Sequence, residues 1–88
     1  QYASKLQIAG LGLAGDLRVL RGSPVEGRFS LFLLRAGRVA CVHSVNRPAE
    51  HLLARKLIES RVQADAAALA DPDFALKSLL DQSGVAPA

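Results

Sequence analysis

Cys41, His43 and His51 are the residues of this chain whose types could do chemistry together. They are its one cysteine and both of its histidines, gathered in the stretch ACVHSVNRPAEH. A thiolate and two imidazoles could in principle hold zinc. A cysteine beside a histidine could form an activated nucleophile. The spacing supports neither. No second C-x-x-C, no H-x-x-x-H and no obvious fourth ligand accompany the three. A nucleophilic pair needs a third group to orient its base and a pocket for substrate, and no pattern here supplies them. Cys41 and His43 stand two apart in a predicted strand, so they share a face with Val39 and Val45. Cys41 then reads as an ordinary small core residue. His51 reads as a helix-surface or interface residue. The sequence predicts no catalytic residue and no metal site.

The glycines of AGLGLAGD loosely resemble a phosphate loop. They lack the strand-then-helix frame of a dinucleotide fingerprint and the Gly-Lys-Ser/Thr of a Walker loop. Charge is more informative. Residues 1–45 carry Lys5, Arg18, Arg21, Arg28, Arg35 and Arg38 against Asp16 and Glu26, a balance of +4; the remainder carries −1, and the two sum to the net +3. A basic half attracts acidic partners or lies on a solvated sheet face. Nucleic acid is not expected, because single-strand binders interleave aromatics with basic groups. Here Tyr2 is terminal, and Phe29 and Phe32 sit in the most apolar run.

Hydrophobic residues make up 50% of the 88 and charged residues 22%, which describes a globular chain near the lower size limit for a single core. One cysteine cannot form an internal disulfide, so nothing argues for secretion. No run approaches the ~20 apolar residues of a membrane helix, and QYASKLQIAG lacks the layout of a signal peptide. A cytoplasmic location is expected. With no Met anywhere, the chain reads as processed or cut from something longer, and its Ala, Arg and Leu richness fits a bacterial coding sequence.

The elements that would position these residues divide the chain in two. SKLQIAGLGL, DLRVLRG, RFSLFLLR and RVACVHSV read as four strands, with SPVEG and AGR as turns. Short turns imply antiparallel neighbours. RFSLFLLR is apolar on both faces, which predicts cover on both sides. The second half reads as helical. Asn46 is placed to cap a helix with Pro48 in its first turn. Ala49, Leu52, Leu53 and Leu57 would mark its buried face, with Glu50, Arg55 and Glu59 outside. A short turn follows Asp65, and Asp71-Pro72 restarts a helix with Phe74, Leu76, Leu79 and Leu80. The fold class is α+β: an antiparallel sheet of about four strands followed by helices packed on it. The domain would span residues 1–82, with 83–88 a loose tail.

Taken in order, QYASKLQIAGL, VLRGSP, FSLFLLRAGRVACVHSVNRPAEHLLARKLI and ALADPDFALKSLL resemble the C-terminal domain of FAD-dependent ferredoxin reductases. Those enzymes serve bacterial aromatic-ring dioxygenases and cytochrome P-450 systems and are related to glutathione reductase. The most specific segments are LQIAG (6–10), Arg21-Gly22 with Pro24, VNRP (45–48) and RKLI (55–58). The resemblance implies a parent with an FAD domain, an NAD(P)H domain and this third domain. Electrons would pass from NAD(P)H through FAD to a ferredoxin. This domain would cover the flavin and help dock an acidic ferredoxin, without catalysing alone and with no cofactor of its own. In the family a Trp lies just upstream of the domain, close to the flavin; this chain contains no Trp. Gln1 and Tyr2 are then the nearest positions to the flavin. Arg18, Arg38 and Arg47 are the expected partner-docking residues, with Arg47 also suited to anchoring the interface to the flavin domain or to fixing the corner before the helix. Family members commonly show Ala, Asp and an aromatic or other residue at 41, 43 and 51. VNRP, not Cys and His, is the motif here. The alternative is a stand-alone interaction or dimerisation module, since the glutathione-reductase relatives dimerise through this domain.

Overall fold

A computed structural model describes residues 6–82. Four strands form in the four expected runs, the first of them shorter than SKLQIAGLGL: β1 Leu6–Gly10, β2 Leu17–Ser23, β3 Arg28–Arg35 and β4 Arg38–Val45. Three helices follow: α1 Pro48–Ser60, α2 Ala66–Ala70 and α3 Lys77–Gln82. The sheet is antiparallel throughout, in the order β1-β4-β3-β2. This is the expected α+β fold.

The turns explain the hairpins. Ala36 and Gly37 both have positive φ, at 57° and 76°, which closes β3 onto β4 with two residues and matches the strand twist. Pro24 to Gly27 closes β2 onto β3, with Gly27 N–H donating to the Pro24 carbonyl at 3.0 Å. Gly10 ends β1 at φ 84°, pressed so closely on Ala40 that a Cβ there would overlap its carbonyl oxygen. No other residue type fits that approach without displacing backbone.

The helices cover one face only. That face carries the row Val19, Phe32, Val42 and Ala9, one residue from each strand by register. Phe32 and Val42 have no exposed surface, and Ala54, Leu57 and Leu69 close over them. The opposite face carries Leu20, Leu31, His43 and Ile8 in one cross-strand row and Phe29, Val45 and Leu6 in the next. None of these seven is buried. The two-sided cover expected of β3 is therefore partial within the described residues: Gly12 lies against Leu33, while Phe29 and Leu31 have no such cover.

Three helical expectations need correction. Asn46 does not cap α1. The residue before a proline is driven out of the helical region, so Arg47 takes the cap position at φ −132°, and its side chain, which has no acceptor, makes no cap hydrogen bond. Asn46 turns left-handed at φ 56°, and its Nδ2 donates to the Gly27 carbonyl at 2.8 Å. The buried stripe of α1 is Glu50, His51, Ala54 and Leu57, whereas Ala49 and Leu52 are exposed. Finally, the last helix starts at Lys77, not after Pro72. The carbonyls of Leu69, Asp71, Pro72 and Phe74 accept from Arg21 instead of continuing a helix.

Candidate functional site

Beneath the first turn of α1 lies a polar cross-strand row. Register aligns Arg21, Ser30, Ser44 and Gln7 on the helix side of the sheet. Consecutive residues of α1 descend onto it. Glu50 Oε1 accepts from Arg21 Nε at 2.8 Å and from Arg47 Nη2 at 2.9 Å, while its Oε2 accepts from Ser30 Oγ at 2.6 Å. His51 Nδ1 lies 2.9 Å from Ser44 Oγ. Arg21 is 4% exposed and Glu50 7%, so both charges are out of water and each needs the other. The rest of the Arg21 guanidinium donates to the carbonyls of Leu69, Asp71, Pro72 and Phe74. All five of its donors face acceptors, which suits Arg and no other cation. One side chain thus ties β2 to α1 and to the α2–α3 connection.

The apolar pattern places Glu50 on the outer face of the helix and His51 at its surface or an interface, because such a pattern scores charge as surface; both are buried. The signal that could have found them is the pairing of Arg21, mid-strand among apolar residues, with a carboxylate elsewhere in the chain. Burial also holds the His51 imidazole below its ordinary range, with a smaller contribution from Arg55.

The sheet separates the three residues of the opening pattern. Cys41 and His43 lie on the uncovered face, and His51 lies under α1 on the other. Among the described residues no group of three His, Cys, Asp or Glu side chains is arranged to hold a metal. Cys41 is 2% exposed because the loop 11–16 folds over it: a Cβ on Gly12 would lie 3.8 Å from its sulfur. Burial pushes the Cys41 thiol up, away from the reactive thiolate. The loop is fastened by Arg35, which donates from Nε and Nη2 to the Asp16 carboxylate at 2.9 and 2.8 Å and from Nη2 to the Leu11 carbonyl at 3.0 Å. Arg35 and the Leu13 N–H hold the Asp16 carboxyl below the usual carboxylate range.

The expected docking residues do not form one cluster. Arg18 and Arg38 are exposed, and register carries both to the sheet end formed by the β3–β4 turn. Arg47 lies at the opposite end, beside the β2–β3 turn, paired with Glu50. The end carrying Arg38 gains two arginines that charge counting along the sequence did not single out. Arg35, Arg38 and Arg61 line one groove of about 370 Å³ with Gly10, Leu11 and Ile58. Arg61 reaches it because α1 stops there in a left-handed cap at φ 55°. Gln1, Tyr2 and the 83–88 tail lie outside the described residues. No helix among the described residues is long and apolar enough to cross a membrane.

Comparison with known proteins fits this geometry. A family model described as "Reductase C-terminal" matches residues 1–80. The chain belongs to that family. Rhodocoxin reductase of Rhodococcus erythropolis is 44% identical over 77 residues, covering 88% of this chain and 18% of the relative. Putidaredoxin reductase of Pseudomonas putida is 34% identical over 80 residues, covering 91% and 19%. Among solved structures, the covalent putidaredoxin reductase–putidaredoxin complex aligns with a TM-score of 0.85 at 31% identity, over 98% of this chain and 21% of the other. The ferredoxin reductase for the CYP199A2 system of Rhodopseudomonas palustris aligns at 0.75 and 41% identity, over 85% and 19%. The chain spans about a fifth of the length of these relatives. It is a domain of the kind found in ferredoxin reductases.

Proposed function

We propose that this domain works as the C-terminal part of a flavoprotein that passes electrons from NAD(P)H through FAD to a ferredoxin. Its role there is to cover the flavin and help dock the ferredoxin, with no catalysis of its own. The observation that carries this reading is the match of nearly the whole chain to putidaredoxin reductase, in a structure determined with putidaredoxin attached. The described residues do not themselves fit a dinucleotide. The glycine-bearing loop 11–16 leads from β1 into β2 and not into a helix, and the first turn of α1 is occupied by Glu50 and its arginines. A phosphate needs a free helix N-terminus or a cradle of N–H groups. On this reading FAD and NAD(P)H are held by the other domains of the reductase.

Arg18 and Arg38 are exposed and placed to attract an acidic partner, with Arg61 adding to the field at that end of the sheet, while the charge of Arg35 is compensated by Asp16. Exposed charges of this kind raise association rates and are screened by salt. Arg47 acts chiefly as a positioning residue, since its guanidinium is paired with Glu50. The reading is tested in two steps. The 88-residue chain should retain no FAD and oxidise no NAD(P)H; stoichiometric flavin bound to it would overturn the covering role. In a reductase carrying this domain, Arg18→Glu with Arg38→Glu should slow ferredoxin association at low salt. An unchanged rate would remove both arginines from docking.

A further inference from the structure

The groove of about 370 Å³ at the β3–β4 end of the sheet is unbalanced in charge. Arg35 lines it from the end of β3, Arg38 from the start of β4 and Arg61 from the cap of α1. No acidic residue lines it. The other grooves described each carry a carboxylate: Glu59 in one, Asp16 with Asp65 in another, Glu26 in a third. Asp16 takes up the charge of Arg35. Arg38 and Arg61 are exposed and have no ion pair among the described residues. Two uncompensated guanidiniums therefore share one concave surface, where their fields add. The backbone supplies a second observation. Arg61 lies left-handed at φ 55°, a conformation that helix ends ordinarily give to glycine or asparagine. Glycine would avoid that strain; arginine brings a charge to the groove. The last carbonyls of α1 oppose an anion, but the Arg61 N–H already takes those of Leu57 and Ile58 at 3.1 and 3.3 Å. Beside the arginines the lining is apolar, with Leu11 71% exposed next to Ile58.

We propose that this groove binds a small organic oxyanion, a carboxylate or phosphate group carried on one apolar ring or short chain. A guanidinium presents paired N–H donors that match either head group. Arg38 and Arg61 supply those donors, and Arg35 stays held against Asp16. Leu11 and Ile58 give the apolar body a surface to cover, which an inorganic ion would leave wet. The volume lies at the small end of the range for ligand pockets, about 300–1,000 Å³. What the ligand does there rests on the function proposed above. Filling the groove cancels charge at the sheet end where Arg18 and Arg38 would attract an acidic ferredoxin, and so slows that association. The binding itself does not depend on that reading.

The test titrates benzoate into the 88-residue chain at constant ionic strength and follows backbone amide resonances. Saturable shifts should centre on Leu11, Ala40 and Arg61. Arg61→Gly removes one charge at a backbone angle that glycine prefers, so the fold is kept. It and Arg38→Thr should each weaken benzoate by about tenfold or more, the scale of a lost hydrogen bond to a charged group. Leu11→Ser should weaken benzoate and leave inorganic phosphate unchanged. Phenyl phosphate in a parallel titration assigns the head group: tighter binding than benzoate selects phosphate, and weaker binding selects carboxylate. Shifts that chloride reproduces, or arginine variants that titrate like wild type, would overturn the site. Inorganic phosphate bound as tightly as benzoate would also overturn it, leaving an adventitious ion only. In a reductase carrying the domain, saturating benzoate should slow ferredoxin association at low salt beyond a chloride control. An unchanged rate with benzoate bound would overturn the regulatory role. The functional reading fails separately: a reductase that passes no electrons from NAD(P)H to ferredoxin defeats it, while the titration of the 88-residue chain still decides the site.

Discussion

Glu50→Gln is the most direct probe of what holds this domain together. The wild-type carboxylate accepts from Arg21 and Arg47 with one oxygen and from Ser30 with the other. A glutamine keeps one acceptor oxygen, which can stay with the arginines. Its amide then meets Ser30 Oγ, which can rotate and accept. Shape and contact number are nearly conserved, so the change reports on charge. A hydrogen bond to a charged group contributes about 1.5–3 kcal/mol, and Arg21 at 4% exposure has little water to compensate it. The expected loss is about 2 kcal/mol for Glu50→Gln. For Glu50→Ala, which leaves the buried guanidinium without its counter-charge, it is about 3–5 kcal/mol. A chain of 88 residues should have about 4–13 kcal/mol in total, so the alanine variant removes a large share. Urea unfolding of the 88-residue chain measures both. The double change Arg21→Met with Glu50→Leu should lose less than the two single changes summed, because no buried charge is then stranded. Variants at Glu50 that all stay within about 0.5 kcal/mol of wild type, the scale of an ordinary surface substitution, would refute the claim that this pair anchors the α2–α3 connection.

Two further outcomes follow from the same packing. His51 is held neutral by burial and, less, by Arg55; the unfolded chain takes up this proton first, so stability is full above about pH 6.5 and declines as pH falls toward the folded-state value. Urea midpoints near pH 7.5 and pH 5.5 check it, and His51→Gln should flatten the slope; a slope that survives the substitution belongs to another group. Separately, Arg35→Ala should unfasten the loop 11–16 and raise the labelling rate of Cys41 by a disulfide reagent several-fold, with the sheet still folded by circular dichroism. Labelling as slow as in wild type would mean that the loop stays closed without its clamp.

The strands were legible because each is a short β-rich run bounded by turn residues: RVACVHSV became β4 with Arg38 and Val45 at its ends. The strand order was less so. Residues 11–16 are few enough for a β1–β2 hairpin, yet β1 pairs with β4, and no local pattern distinguishes the two. The Arg21–Glu50 pair was invisible for a different reason. Its partners are 29 positions apart, and each one alone looks like a solvated charge. The family outline located the corner correctly but not the work of its residues. Asn46 was expected to cap α1; instead it reaches back to the β2–β3 turn, because Pro48 dictates the conformation of Arg47.

That last detail bears on what the family motifs mean. LQIAG ends in Gly10, which is needed for a backbone approach no Cβ would permit. The RG pair supplies Arg21 for the clamp and Gly22 at φ 98°, where a Cβ would lie 2.8 Å from the Arg28 carbonyl oxygen. VNRP supplies the link to the Gly27 carbonyl and a second arginine on Glu50. RKLI contributes Leu57, which is wholly buried. Each motif resolves into a device that fixes the fold, and two of them meet at one carboxylate that is itself outside the quoted motifs. Residues that recur for such reasons identify a scaffold; they do not identify its chemistry. Among the described residues, what this scaffold presents outward includes the uncovered apolar face and the arginines at the β3–β4 end. That is also why Cys41 and His43, the residues that look most like chemistry in the sequence, belong to the face and not to a site. Cys41 lies shielded beneath Gly12, and His43 is flanked by Ile8 and Leu31.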